Sequence, residues 1–520
     1  MKKNIILGIS AITLILFFSF GSDSVLSKLK TLSYIIRLVE NYYVDDVDLN
    51  KTIDGAIHGF LEELDPHSAY IPADDFKYMQ ESIQGEFEGI GIEFAILDGY
   101  ITVISPIPET PSDRAGLIGG DKIIKINGES AYKITQDDVF KKLRGEKGSS
   151  VDITIDRLGL DDPLEITLIR DKIPIHSIMA SFLYNNNVGY IKINRFAEKT
   201  YEEFKSSVDS LENNGMNTLI LDLRNNGGGL MNQAVKMLDM FIDSNDTILY
   251  TKGRVYDANE VFYARKNRAD KKFPILVLIN RASASASEIV SGGLQDLDRG
   301  IIVGETSFGK GLVQRQFLLD DGSAARITIA KYYTPSGRLI QRNFDGGIDE
   351  YYNNLLNENR ELNDTSQTDQ PTYQTKQGRK VYGGGGINPD IFISNDNSFT
   401  DKTQLILTNP NRLLFRYANN IKNDFKNINS FKKFNKNIVN SKSSPIKITQ
   451  FVDWVNSEDD SIVLDKNDII EDWEYLENRI LANIASSFWG KNYYYNIMLN
   501  QDKQFSSAIE NIYLAKDLIK

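Results

Sequence analysis

A serine set among alanines, a lysine set between glycines, and a glutamine four residues beyond that lysine are the side chains best placed to do bond chemistry. All lie between Phe273 and Gln314. Ile275 to Ile279 is a continuous apolar run preceded by proline and rich in β-branched residues, which predicts a strand buried on both faces. From Arg281 to Ser287 serine and alanine alternate, Glu288 follows, and Ile289, Val290, Leu294 and Leu297 recur at helical spacing. The small residues therefore fall at a strand-to-helix turn. There a serine hydroxyl lies exposed beside helix N-terminal amides that lack an intrahelical acceptor and favour developing negative charge.

Such a serine requires a base. The chain has three histidines, His58, His67 and His176, none of them in this stretch, and no cysteine. A thiol nucleophile is excluded, and a histidine triad would need a distant partner. Lysine remains. Lys310 stands in Phe308-Gly309-Lys310-Gly311; flanking glycines permit close backbone approach, and burial beside a positive helix end disfavours the ammonium form. Gln314 can hydrogen-bond and orient that amine.

Taken together, SASASE followed by TSFGKGLVQ resembles the C-terminal processing (tail-specific) peptidases. The resemblance makes Ser285 the nucleophile, Lys310 the general base and Gln314 its orienting partner, with Ser283 and Ser287 as structural neighbours. LDLRNNGGG resembles the turn that gives this family one oxyanion-hole amide, the other coming from the residue after the serine. Those positions are Gly228, with Gly229 as the alternative, and Ala286; one such donor is worth about 3 kcal/mol in the transition state. The same glycines do not form a phosphate loop, because no Lys-Ser or Lys-Thr pair follows and dinucleotide-fingerprint spacing is missing. The implied fold is a crotonase-like layered α/β domain, and no metal or organic cofactor is implied. A crotonase fold also hosts acyl-thioester enzymes, so fold alone does not establish proteolysis.

The remaining elements must present and feed this site. In residues 1–22, Lys2 and Lys3 precede an apolar run from Ile5 to Phe20, the layout of a signal peptide or an uncleaved membrane anchor. Either places the rest of the chain outside the cytoplasm, in a periplasm or on the outer face of the cytoplasmic membrane. Lack of cysteine agrees with export without disulfides and excludes a lipoprotein-type N-terminus. A net charge of −12 over 520 residues argues against nucleic acid as a partner.

Residues 23–82 read as a helical N-terminal region ending in LDPHSAYIPADDF, with His67 as a capping or packing residue. In the family this segment supports packing or dimer contacts, so a homo-oligomer is one expectation. Residues 83–172 change to short strands with a helical stretch from Gln136 to Leu143, and AGLIGGDKIIKING makes them resemble a PDZ domain. Gly89, Ile90, Gly91 and Ile92 fall where such domains bind a terminal carboxylate. Ile90, Ile92 and Phe94 then imply protein or peptide partners with apolar C-termini.

Residues 173–399 alternate strands (VGYIKINRF, NTLILDLRNN, PILVLIN, GIIVGE, AARITIAKYYTP) with helical patterns, predicting the α/β peptidase domain with the PDZ domain inserted ahead of it. Within it, Asp345 to Arg379 is polar and reads as a surface excursion or a lid. Residues 400–520 carry amphipathic helical runs and no usable motif. The aromatic residues Trp473, Tyr475, Trp489, Tyr493, Tyr494 and Tyr495 suggest a small helical core.

The expected protein is an exported, ATP-independent serine endopeptidase that recognises protein C-termini. Two rivals are a non-catalytic PDZ scaffold, which has no need of Ser285, Lys310 and Gln314 together, and a crotonase-type thioester enzyme, which neither export nor a peptide module suits.

Overall fold

The computed structural model describes residues 23–243, 245–265, 271–356, 370–394, 398–441, 446–459 and 462–519; the segment read as a signal peptide or anchor lies outside them. Among the described residues no helix is long and apolar enough to cross a membrane. The described residues divide into two compact units, 23–73 with 316–327, and the remainder.

In the first unit the helices Asp23–Tyr42 and Leu49–Glu62 occupy the helical N-terminal stretch. The turn after them is made by Asp65, whose carboxylate accepts from His67 N (2.8 Å), Ser68 N (2.9 Å) and Ser68 Oγ (2.6 Å). An aspartate that takes the amides two and three residues ahead reverses the chain locally. Here it delivers Ala69–Ile71 to antiparallel pairing with residues 324–326.

The second unit begins with the β-rich module. Strands Ile92–Leu97, Tyr100–Pro106, Lys122–Ile126, Ser150–Asp156 and Leu164–Ile169 form an antiparallel sheet in that order. Alternation sends Ile101, Val103, Ile123, Val151, Ile153 and Ile155 into one core, closed by Val139 and Leu143 of helix Gln136–Leu143. Glu86–Gly89 pairs with Asp171–Pro174, so the chain enters and leaves this module on two adjacent strands.

The central sheet of the α/β domain runs Ile178–Tyr184, Val188–Ile193, Thr218–Asp222, Ile275–Ile279, Ile301–Gly304, Ile391–Phe392. The first pair is antiparallel and the others parallel. Leu219, Leu221, Ile275, Val277 and Ile302 face helices Thr200–Asn213, Met231–Leu238 and Ala286–Asp296 in one core. Their alternates Ile220, Leu276, Leu278, Ile301 and Val303 face the other way and pack against Leu499, Phe505, Ala508 and Ala515. These last residues come from the chain's end, including helices Lys503–Glu510 and Ile512–Leu518. The region without motifs thus has two jobs. One part builds a helical core of its own around Phe451, Leu476 and Ile480, with Trp473, Trp489, Tyr493 and Tyr494 against it; the other covers the second face of the central sheet.

Phe505 is the centre of that cover, 1% exposed and edge-on to Tyr184 and Tyr190 at 4.9 and 5.8 Å between ring centroids. Phe505→Ala is expected to lower unfolding stability by about 3–5 kcal/mol. Urea unfolding monitored by fluorescence measures it, and a loss under about 1 kcal/mol would show that the sheet face is not closed by this helix.

Candidate active site

Ser285 sits between the buried strand Ile275–Ile279 and the helix Ala286–Asp296, at φ 56° and ψ −114°. That is a sparsely populated conformation for an L-residue, so surrounding bonds must impose it. Ala284 N donates to Asn226 O (3.0 Å), Ser287 Oγ donates to the same carbonyl (2.9 Å), and Ser283 Oγ donates to Leu223 O (2.9 Å). Ser283 and Ser287 thus spend their hydroxyls on backbone carbonyls of the facing segment. From Ser283 to Asp296 every residue is buried except Ser285, which keeps partial exposure. Ala286 opens the helix, where a backbone N–H has no intrahelical acceptor.

The partner loop is drawn to this elbow by one side chain. Glu288 is fully buried, and its Oε2 accepts from Ser285 N (2.8 Å) and Lys310 N (2.9 Å). Its Oε1 accepts from Gly309 N (2.7 Å) and Ser307 Oγ (2.5 Å). Phe308 N donates to Ser283 O (2.9 Å) and Gly311 N to Gln341 Oε1 (2.8 Å), so four consecutive amides from Phe308 to Gly311 are fixed. Burial pushes the Glu288 carboxyl above its ordinary value, against the opposing effect of the hydrogen bonds it accepts. Ser307 is itself clamped by the GGGGINPD segment, whose Ile387 N donates to Ser307 Oγ (2.7 Å). Tyr332 OH donates to Ser285 O (3.3 Å).

The glycine turn approaches from the other side. Asn226 holds it, its Nδ2 donating to Ile193 O (3.0 Å) and its Oδ1 accepting from Gly228 N (2.9 Å). The Gly228 amide is thus engaged within its own turn, while Gly229 is solvent-exposed at φ 140°. Gly228 has φ 96°, and a Cβ there would lie 2.6 Å from Ala284 O and 2.7 Å from Ser285 Cβ. Only glycine lets this turn come so close to the serine.

Behind the turn, Asp222 and Arg224 were not singled out from the sequence. Asp222 ends the apolar run Leu219–Leu221 and is completely buried. Its carboxylate accepts from Arg224 Nη2 (2.7 Å) and Nε (3.0 Å) and from Tyr190 OH (2.6 Å), with Lys192 Nζ at 3.3 Å. Burial alone would raise this carboxyl, but Arg224 and Lys192 outweigh it and hold Asp222 well below the usual range. A charged residue inside an otherwise apolar strand was the available signal.

Gln314 lies on strand Leu312–Leu318 and donates from Nε2 to Thr328 Oγ1 (3.4 Å). In the β-rich module, Ile90 O accepts from Ser112 N (2.9 Å) and Ser112 Oγ (2.7 Å). Gly91 O accepts from Ile107 N (2.9 Å), so the Gly89–Ile92 loop is built as a rigid turn. Among the described residues Ile92–Leu97 pairs on one side only, with Tyr100–Pro106, and offers a sheet edge.

The polar stretch after Asp345 differs from the surface excursion expected. Residues 357–369 lie outside the described ones, but helix Ile348–Leu356 buries Tyr351 edge-on to Phe308 at 5.8 Å. The Arg342 guanidinium stands 4.1 Å from the Tyr351 ring and 5.0 Å from Phe308. Aromatic and cation–π packing anchors this part to the lysine loop despite its polar composition.

The layered α/β domain thus carries a strained serine elbow tied to a lysine loop, and its relatives make it a serine-type peptidase. Residues 187–353 match peptidase family S41, residues 102–157 a PDZ domain, and residues 19–75 the activating protease CtpB N-terminal domain. The chain belongs to the S41 family of carboxy-terminal processing proteases. It is 40% identical over 311 residues to the carboxy-terminal-processing protease of Bartonella bacilliformis, covering 59% of this chain and 71% of that protein. It is 36% identical over 343 residues to the carboxy-terminal processing protease CtpA of Bacillus subtilis, covering 64% and 72%. The solved structure of a photosystem II D1 C-terminal processing protease aligns at 25% identity with a TM-score of 0.35, over 69% of this chain and 86% of that one.

Glu288→Gln replaces one acceptor oxygen by a donor that faces bound amides. It should destabilise the fold by about 2–3 kcal/mol and lower peptidase turnover at least tenfold; unchanged turnover in the folded variant would remove Glu288 from the site's support.

Because the folded-state value of Asp222 is depressed, its contribution is complete above about pH 4 and is lost as pH falls further. Asp222→Asn should therefore cost about 3–5 kcal/mol at pH 7 and show a flatter stability profile than the parent below pH 4 in acid titrations of denaturant midpoint.

Proposed function

We propose that the chain is an exported endopeptidase that captures protein C-termini with its PDZ domain and cleaves peptide bonds with Ser285 activated by Lys310. The observation that carries this reading is the sharing of Glu288 Oε2 by the backbone amides of Ser285 and Lys310. It ties the backbones of the partly exposed serine and lysine to one buried carboxylate.

In the mechanism, Lys310 in its neutral form takes the Ser285 proton as Oγ bonds to the scissile carbonyl carbon. The oxyanion is received by Ala286 N and by an amide of the 228–229 turn. With Gly228 N engaged by Asn226, Gly229 N is the better placed of the two glycines. The C–N bond then breaks, Lys310 returns its proton to the leaving amine, and an ester to Ser285 remains. Water, deprotonated by Lys310, hydrolyses that ester and restores the hydroxyl. Gln314 is assigned the role of orienting the lysine amine.

Supporting peptide capture are the edge strand Ile92–Leu97 and the hydrogen-bonded Gly89–Ile92 loop. An extended C-terminus adds as a strand there, with its carboxylate on the loop and an apolar terminal side chain beside Ile90 and Ile92. Export rests on Lys2, Lys3 and the apolar run after them.

Ser285→Ala and Lys310→Ala in the full chain should each remove more than 99% of cleavage of a denatured test protein while leaving the circular dichroism spectrum intact. Substantial activity in either variant would reject the dyad. In the producing cells the parent enzyme should be accessible to added protease once the outer layers are opened; protection until lysis would reject export.

A further inference from the structure

The turn proposed to bind the oxyanion is not held by the peptidase segment alone. Arg224, one residue before it, has a side chain only 11% exposed and divides its donors between two parts of the chain. Nε and Nη2 bind Asp222 at 3.0 and 2.7 Å; Nη1 and Nη2 bind Asp502 at 3.0 and 2.7 Å, and Nη1 also donates to Gln504 Oε1 at 3.0 Å. Asp502 and Gln504 lie about 150 residues beyond residue 353, where the family match ends. With Lys192, which also donates to the Arg224 carbonyl at 3.3 Å, two acids face two bases in a nearly dry cluster.

We propose that Asp502, assisted by Gln504, is a positioning residue for catalysis, acting through Arg224 on the Asn225–Gly229 turn. This rests on the reading that the turn receives the oxyanion. Charge balance in the cluster requires Asp502, because a buried guanidinium that loses one of two carboxylates seeks another partner. Space for it exists in an adjoining cavity of about 300 Å³, lined by Arg224, Asn225, Asn280 and Asp502. Asn225 takes up a left-handed conformation at φ 60°, and its amide is held by Asn280 Oδ1 at 3.0 Å, so Arg224 adjoins a turn residue whose backbone is fixed in place. Asp502 itself is fixed as the N-cap of Lys503–Glu510, accepting from Phe505 N at 2.9 Å. The helix that covers the sheet thereby also sets the geometry of the site.

The test uses the full chain and fluorophore-labelled, unfolded casein. Asp502→Asn keeps the side-chain size and the helix cap and removes the charge. It should lower kcat about 10- to 100-fold, as displacement of oxyanion donors does, with KM within threefold of the parent. Asp502→Glu, which restores the charge, should recover kcat to within about fivefold. Gln504→Ala, milder and independent of the cap, should lower kcat about threefold or more with KM again little changed.

A folded Asp502→Asn enzyme with kcat within twofold of the parent, or with its effect confined to KM, overturns the proposal. If that variant does not fold, an unchanged kcat in Gln504→Ala overturns it instead. Ser285→Ala run in parallel separates the two levels: activity there removes the parent reading, whereas an inactive Ser285→Ala beside a fully active Asp502→Asn removes only the positioning role.

Discussion

A single carboxylate, with no cation among its hydrogen-bond partners in the described residues, holds the serine elbow and the lysine loop in register. Glu288 is desolvated, a state that is costly for a charge unless directional donors replace the lost water. Three backbone amides and one hydroxyl do so, and they come from both sides of the site: Ser285 on the elbow, and Ser307, Gly309 and Lys310 on the loop. Because these donors are fixed by the backbone, the geometry cannot relax one residue at a time. The unusual backbone angles of Ser285 persist because the network over-determines them.

A second layer of polar order surrounds the first. Asn226 ties the glycine turn to the strand Val188–Ile193 through Ile193 O, and its own carbonyl receives Ala284 N and Ser287 Oγ from the elbow. Asp222 and Arg224 then anchor that turn to the sheet below. The arrangement places charges near the ends of parallel strands whose interiors are largely apolar, so rigidity comes from the hydrophobic layers and precision from the polar rim. Ser285 and Lys310 retain partial exposure, and the facing turn is open to water at Asn225, Gly227 and Gly229.

Much of this was legible in the chain because it is encoded locally. The five-residue run Ile275–Ile279 was readable as a doubly buried strand, and the small-residue turn and apolar helix after it followed from spacing. Helix Gln136–Leu143 and the strand-rich module around it were likewise visible from periodicity and turn chemistry. The role of Glu288 was not, because a glutamate early in a helix ordinarily reads as a solvent-facing cap. Nor was the cover formed by Phe505 and Ala508: their contacts with Ile220 and Leu276 span more than 200 residues, and the amphipathic pattern shows that a face is buried without showing against what. Tyr351 was masked by the polarity of its neighbours.

The paired stem Glu86–Gly89 and Asp171–Pro174 has an evolutionary corollary. Since both ends of the intervening module meet at neighbouring backbone positions, its presence asks little closure entropy of the host and leaves the surrounding topology unaltered. The module can accordingly drift in sequence at its own rate, without imposing a change of topology on the domain that carries it.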